Sequence, residues 1–337
     1  MATLTDVARL AGVSLATASR VVNDSPYGVA PELRRRVLDA SERLQYVPNA
    51  HARALVRARN PTVGVIVHDV SDPYFAEITR GLQQSAIAHD RLLLICNSYR
   101  APEREADYLA QLRAQRVEAI VLAGSGYRDP EATETLLRRL RAFTEDGGRV
   151  ALIGRHAIVG GAIVPDNVAG GYAMGRHLFT LGHRRVGVVA GPSSLTTVAD
   201  RLGGLRRAAS DFGVRLDDDL VWYSDFTRDG GAEAGSRLLH RAPDVTAIAA
   251  LNDAMAVGAI ATLREQRLDV PADISVVGFN DMPIARDVTP PLTTVHLPLV
   301  EMGERAMTLA LDHDTRQEST EHFPAELVVR ASTRAVG

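Results

Sequence analysis

The chain contains no lysine, so every one of its 38 basic residues is arginine. It has one cysteine, Cys96, and one tryptophan, and aromatics make up 5% of its 337 residues. A single thiol excludes an internal disulfide and a multi-cysteine metal site. Its setting in "RLLLICNS" predicts a buried strand. No apolar run reaches the roughly 20 residues of a membrane span, and Met1 leads directly into polar, helix-starting sequence. The expected location is therefore the cytoplasm, with no membrane partner. His68, His156 and His183 show no metal-ligand spacing, and neither a metal nor a cofactor is expected.

What is present is a globular α/β composition long enough for two or three domains. Charge is unevenly placed. Residues 1–60 hold nine arginines and five acids, a net of +4, whereas the remaining 29 arginines and 36 acids give −7. A basic head on an acidic body suits a small nucleic-acid-binding module attached to something else.

The head reads as three helices. Thr3 and Asp6 have capping-box spacing ahead of Leu4, Val7, Ala8 and Ala11. Gly12 ends that helix, and Ser14 caps a second, Leu15 to Asn23, whose Ala18, Val21 and Val22 face inward. A third runs from Pro31 to Leu44, with proline at the tolerated first position and Leu33, Val37 and Leu44 closing a small core. The first two form a helix-turn-helix. Leu15, Ala16, Thr17, Ser19 and Arg20 are left outside, where such a helix meets the major groove. Arg20 has the fork to bridge guanine O6 and N7, Leu15 and Ala16 suit thymine methyls, and Thr17 and Ser19 suit phosphates. Arg34–Arg36 are expected on phosphates as well. The alternative is a plain helical hairpin with a solvated arginine.

"YVPNAHARALVRARNP" follows, Tyr46 to Pro61. Pro48 breaks the preceding helix, and Asn49 can cap a short one carrying Arg53, Leu55 and Arg57; a helix of about eight residues needs outside support. "LTDVARLAGVSLATASRVVN" followed by "YVPNAHARAL" resembles the LacI/GalR family of bacterial transcription regulators. The resemblance implies that Thr3, Ser14 and Asn23 join the recognition-helix residues at DNA. It further implies that Asn49, Ala52, Arg53 and Leu55 belong to a hinge helix whose leucine wedges into the minor groove, unstacking a base step. Ala30 departs from the capping serine usual in the family.

From Thr62 the pattern becomes strand–helix alternation, run twice. "TVGVIVHDV", "RLLLICNS", "VEAIVLAG" and "RVALIGR" form one series; "RRVGVVAGP", "DDLVWYS", "VTAIAALND" and "DISVVGFND" form the other. Helices are expected between them, at Tyr74–Ala88 and Pro102–Gln115 among others. The fold class is therefore α/β: a helix-turn-helix domain plus a core of two doubly wound parallel-sheet subdomains, which the family resemblance implies is periplasmic-binding-protein-like. "AIVPDN" and "PPLTTVHLP" look like crossovers. The expected divisions are 1–47 for the head and 48–61 for the hinge. The first core subdomain is expected over 62–161 plus 291–320, the second over 162–290 plus 321–337.

Two such lobes place a cleft at the carboxyl ends of their strands. Residues just past those ends are Asp72, Tyr74, Phe75, Ser125, Arg155, Thr197, Arg201, Phe226, Asn252 and Asn280. Planar donors and acceptors with aromatic faces suit a polyol or sugar. Ordinary structural readings stand beside this one: helix-start packing for Tyr74 and Phe75, capping for Asn252 and solvation for Arg201. The resemblance extends over the body ("DPYFAEITRG", "LNDAMAVGAI", "DISVVGFNDMPIARDVTPPLTTV") and matches most of these positions to effector contacts. Two departures remove carboxylates: Gly154 stands where an aspartate often precedes the arginine, and Asn280 replaces the first aspartate of "GFDD".

The expected function is a sequence-specific DNA-binding regulator, a repressor, controlled by a sugar-like effector between the lobes. Its partners would be double-stranded operator DNA, the effector, and a second copy in a homodimer, since no leucine-heptad tail is present. An enzyme on a doubly wound fold would need a phosphate-cradling glycine loop. "AGSGYRDP" lacks the third glycine, and no GxSxG elbow occurs. A secreted sugar-binding protein would share the body but not residues 1–60.

Overall fold

The computed structural model describes residues 2–23, 28–47, 60–156, 161–312 and 319–336. The predicted hinge residues Asn49, Ala52, Arg53 and Leu55 lie outside them. Head and body are two compact units, each taken by itself.

In the head, α1 (Leu4–Ala11), α2 (Leu15–Val22) and α3 (Pro31–Arg43) pack around Val7, Ala8, Ala11, Ala18, Val21, Val37 and Ala40. The reciprocal capping box at Thr3 and Asp6 forms. Gly12 takes φ +62, a backbone state that glycine adopts without a steric penalty. The Ser14 hydroxyl accepts from the Thr17 amide at 3.1 Å and so anchors the start of α2. Position 30 offers α3 no side-chain cap, and Pro31 at the first turn sets its entry instead. Leu33 and Leu44 are half-buried; Val37 and Ala40 carry the buried face of α3.

The body holds two six-stranded sheets, one per lobe. Strand–helix alternation builds the first from β1 (Asn60–Val67), α4 (Pro73–Ala88), β2 (Leu92–Asn97), α5 (Pro102–Ala114), β3 (Val117–Ala123), α6 (Pro130–Glu145), β4 (Arg149–Ile153) and β5 (Gly161–Pro165). The second comprises α7 (Asn167–Thr180), β6 (Val186–Ala190), α8 (Thr196–Asp211), β7 (Val221–Tyr223), α9 (Arg228–Arg241), β8 (Ala247–Ala250), α10 (Asp253–Glu265) and β9 (Ser275–Asn280). After α11 (Ile284–Asp287) come β10 (Thr293–His296), α12 (Leu299–Leu311), β11 (Thr320–Phe323) and β12 (Glu326–Val328). The sheet orders are β11-β5-β4-β3-β1-β2 and β12-β10-β9-β8-β6-β7.

The chain passes between the lobes three times, and each passage falls later than the sequence indicated. Gly161–Pro165 pairs in parallel with β4, so the first lobe runs to about residue 165, not 161. Val295 sits opposite Phe279, placing β10 in the second sheet, although 291–320 was assigned to the first lobe. Beyond it, α12 does pack on the first lobe, against α4 and β4. Glu321 to Phe323 pair with β5, so the last passage lies between Phe323 and Glu326 rather than at 320. In each case the strand continues its parallel ladder before the chain leaves. Cys96 also differs from expectation: β2 is an edge strand, and its cysteine is half-exposed. No helix among the described residues is long and apolar enough to cross a membrane.

Candidate functional site

A cavity opens where loops from the carboxyl ends of both sheets converge. His68 follows β1, Arg100 follows β2, and Ser125 follows β3. From the second lobe come Leu195, Thr197 and Arg201, then Phe226 and Asn252 after β7 and β8, and Asn280 at the end of β9. Asp72, Tyr74 and Phe75, at the start of α4, complete the wall. This is where open α/β sheets receive ligands.

Most of these groups are held by neighbours. Asp72 caps α4, accepting from the Tyr74 amide at 3.0 Å. Tyr74 and Phe75 meet edge to face with centroids 4.9 Å apart. Asn252 caps α10 through the Met255 amide at 2.8 Å, while its own amide donates to the Phe226 carbonyl at 2.9 Å. Capping and lining are thus compatible in one side chain. Arg201, 2% exposed, is no solvated arginine. It donates to Asn167 at 2.8 Å, to the Leu251 carbonyl at 2.5 Å and to Asn280 at 2.9 Å, and lies 3.7 Å over the Phe279 ring.

Burial shapes the ionisations. It raises the Asp72 carboxyl above its ordinary range and pushes the Tyr74 phenol up to about 12, so that hydroxyl stays protonated. Burial lowers Arg201 to about 10, still a cation at neutral pH. Behind the cavity, Glu105 is 1% exposed and accepts from Ser98 at 3.0 Å and Tyr127 at 2.8 Å, with His68 Nε2 at 3.4 Å.

Nine of the ten residues expected at an effector site line this cavity. Arg155 does not. Its guanidinium makes a two-pronged ion pair with Asp200 on α8, at 2.8 and 2.6 Å. His68, Arg100 and Leu195 line the cavity without having been singled out. The signal for the first two was there, since both follow strand ends. Leu195 carries no chemistry that sequence reading would select.

In the head, Leu15, Ala16 and Arg20 are exposed on α2, and Thr17 and Ser19 are partly so. Thr3 and Ser14 serve as caps, and Asn23 ends α2 with its amide 3.2 Å from Ser19 Oγ. Arg36 departs from a phosphate role: it donates to the Ala11 carbonyl and, at 3.3 Å, to that of Gly12.

A helix-turn-helix head with a two-lobed body enclosing a polar cavity defines a ligand-responsive DNA-binding regulator. Residues 3–49 match the family of bacterial regulatory proteins, lacI family, and residues 60–326 match periplasmic binding proteins and sugar binding domain of LacI family. The chain belongs to the LacI family. It is 38% identical to the HTH-type transcriptional regulator GalR of Escherichia coli, over 98% of this chain and 96% of that one. It is 33% identical to the transcriptional repressor PurR of Mannheimia succiniciproducens, with 100% of both covered. Among solved structures, the Lac repressor dimer bound to operator and the anti-inducer ONPF superposes with a TM-score of 0.86, at 25% identity and 99% coverage of each chain. A CelR–cellobiose complex matches at 0.73, with 32% identity over 98% of this chain and 100% of that one. The protein is therefore an effector-controlled transcriptional regulator and not an enzyme.

Proposed function

We propose that this regulator represses transcription by binding a pseudo-palindromic operator as a homodimer, and that a sugar-like effector in the inter-lobe cavity sets its DNA affinity. The observation that carries this reading is the convergence of Asp72, Tyr74, Phe75, Ser125, Thr197, Arg201, Phe226, Asn252 and Asn280 on one cavity. Aromatic faces and planar hydrogen-bonding groups there suit a ring bearing hydroxyls. Arg155 would act on the effector response through Asp200. Ligand binding that prefers one arrangement of the lobes shifts the population toward it, and the factor by which it changes operator affinity is the factor by which operator changes its own affinity.

At the DNA, Thr3, Ser14, Leu15, Ala16, Thr17, Ser19, Arg20 and Asn23 form the major-groove set. Asn49, Ala52, Arg53 and Leu55 form the hinge and wedge. The dimer reading is supported by β2, an edge strand that leaves Leu92 67%, Leu94 43% and Ile95 41% exposed, an apolar row suited to a second copy. The site of action would be the cytoplasm, on the nucleoid.

Fluorescence anisotropy with a labelled operator tests this. Arg20→Ala should weaken binding 5- to 150-fold, the roughly 1–3 kcal/mol of a guanine contact, and Leu55→Ala should weaken it without altering effector affinity. Unchanged operator affinity in both variants contradicts the assignment.

A further inference from the structure

The cavity has an uneven charge. Arg201 sits among neutral acceptors: Asn167, the Leu251 carbonyl and Asn280. Position 280 is decisive, because a carboxylate there would pair with the guanidinium, whereas the amide accepts the same N–H and leaves the charge uncancelled. Position 154 offers no carboxylate either. Gly154 has φ +105, and a Cβ there would stand 2.1 Å from the Gly124 carbonyl oxygen, so the backbone leaves no room for a side chain.

A second guanidinium, Arg100, reaches into the cavity from the end of β2, with its carbon 5.6 Å from the centre of the Phe226 ring. Its Nε is buried and has no acceptor, and an Nη stands 3.5 Å from Asp72. Asp72 is the one carboxylate among the lining residues. The nearby acids are engaged elsewhere: Glu105 with Ser98 and Tyr127, Asp200 with Arg155, Asp253 with Thr294, and Asp281 with Arg330. Two guanidinium groups thus face one carboxylate. A desolvated cation without a counter-charge is costly, and a forked guanidinium fits a carboxylate or phosphate.

We propose that the effector is an anionic polyol derivative, bearing a carboxylate or a phosphate ester that Arg100 receives within the positive field of Arg201. The proposal rests on the cavity being the effector site.

The test is a thermal-shift and calorimetric panel on the full chain at constant ionic strength. The probes are neutral aldoses (glucose, galactose, mannose, ribose), each beside its aldonic acid, its uronic acid where one exists, and its terminal phosphate. The expected result is that stabilising ligands are anions, at least tenfold tighter than their neutral counterparts. Arg100→Gln and, independently, Asn280→Asp should each erase most of that preference, the first by removing a donor and the second by cancelling charge. Carboxylate and phosphate members distinguish the two sources of the negative group. A neutral sugar binding as tightly as its acid and phosphate overturns the proposal but preserves the effector site. An anion bound equally by wild type and both variants lies elsewhere, and overturns proposal and site together. No stabilisation by any anion also overturns the proposal, while operator binding by the same preparation reports separately on the DNA-reading head.

Discussion

Arg155 and Asp200 join the two lobes through a two-pronged ion pair, Nε to Oδ2 at 2.8 Å and Nη2 to Oδ1 at 2.6 Å. Neighbouring bonds run the same way: Ser125 Oγ donates to Thr197 Oγ1 at 2.5 Å, the Thr196 amide to the Gly126 carbonyl at 2.9 Å, and the Thr196 hydroxyl to the Arg155 carbonyl at 2.9 Å. The rim of the cavity is therefore a latch between lobes. Asp200→Asn should weaken it by about 0.2–1 kcal/mol, as befits a pair whose arginine is half exposed. Effector titrations of operator release should then shift their midpoint by up to about fivefold. An unmoved midpoint would show that the pair carries no part of the coupling.

Arg36 holds the end of α1 by donating to the Ala11 and Gly12 carbonyls, where a helix terminus concentrates negative partial charge. Arg36→Ala should destabilise the head by roughly 1–3 kcal/mol. Hydrogen exchange on the full chain reads this as faster exchange of α1 and α2 amides, with the body unchanged. Equal protection in both proteins would return Arg36 to a solvent or phosphate role.

Gly154 meets two constraints at once: a positive φ, and a Cβ position blocked by the Gly124 carbonyl. Gly154→Ala should cost roughly 2–5 kcal/mol from backbone strain and overpacking. Gly154→Asp should destabilise similarly instead of restoring a ligand carboxylate. Urea denaturation followed by near-UV circular dichroism checks both. A stable Gly154→Asp protein with a switched ligand preference would contradict the geometry.

Asp253 is fully buried, accepts from Thr294 Oγ1 at 2.5 Å and the Met282 amide at 2.7 Å, and is pushed by burial from 3.8 up to about 7. The folded state therefore holds this proton more tightly than the unfolded chain does. Its stabilising contribution is complete below pH 3.8 and is lost as pH rises through about 7. Asp253→Asn should flatten the dependence of stability on pH between about 4 and 7. It should also cost about 1–3 kcal/mol at pH 5, since the amide offers one acceptor where the carboxyl served two donors. A slope identical to wild type would mean that another group titrates there.

Much of this was legible because local chemistry and tertiary need agreed. Thr3, Asp6, Gly12 and Ser14 are punctuation whose meaning is local, and α1 and α2 follow from it. The eight strands of the two series were readable as apolar runs, and their ends pointed to the cavity. What escaped were properties of pairing. Gly161–Pro165 looks like a connector until β4 is beside it, and Val295 declares its lobe only through Phe279. Cys96 lies in an apolar run that reads as core, but β2 lies at an edge, which depends on strand order. Arg155 follows a strand end like its neighbours, and only the approach of Asp200 on α8 diverts it. Arg100 follows a strand end as the cavity residues do, but the path of the loop between β2 and α5 decides whether that arginine meets solvent or ligand.

The central claim is that this chain reads specific DNA under control of a small molecule. The most direct measurement is selection of sheared source-genome fragments on the purified full-length protein at moderate salt, sequenced with and without the ligands found by the panel. The account predicts enrichment of one pseudo-palindromic motif with a bendable central step, and a change in that enrichment when a cavity ligand is present. Uniform, sequence-independent recovery, lost in proportion as salt rises and indifferent to every ligand, would contradict it.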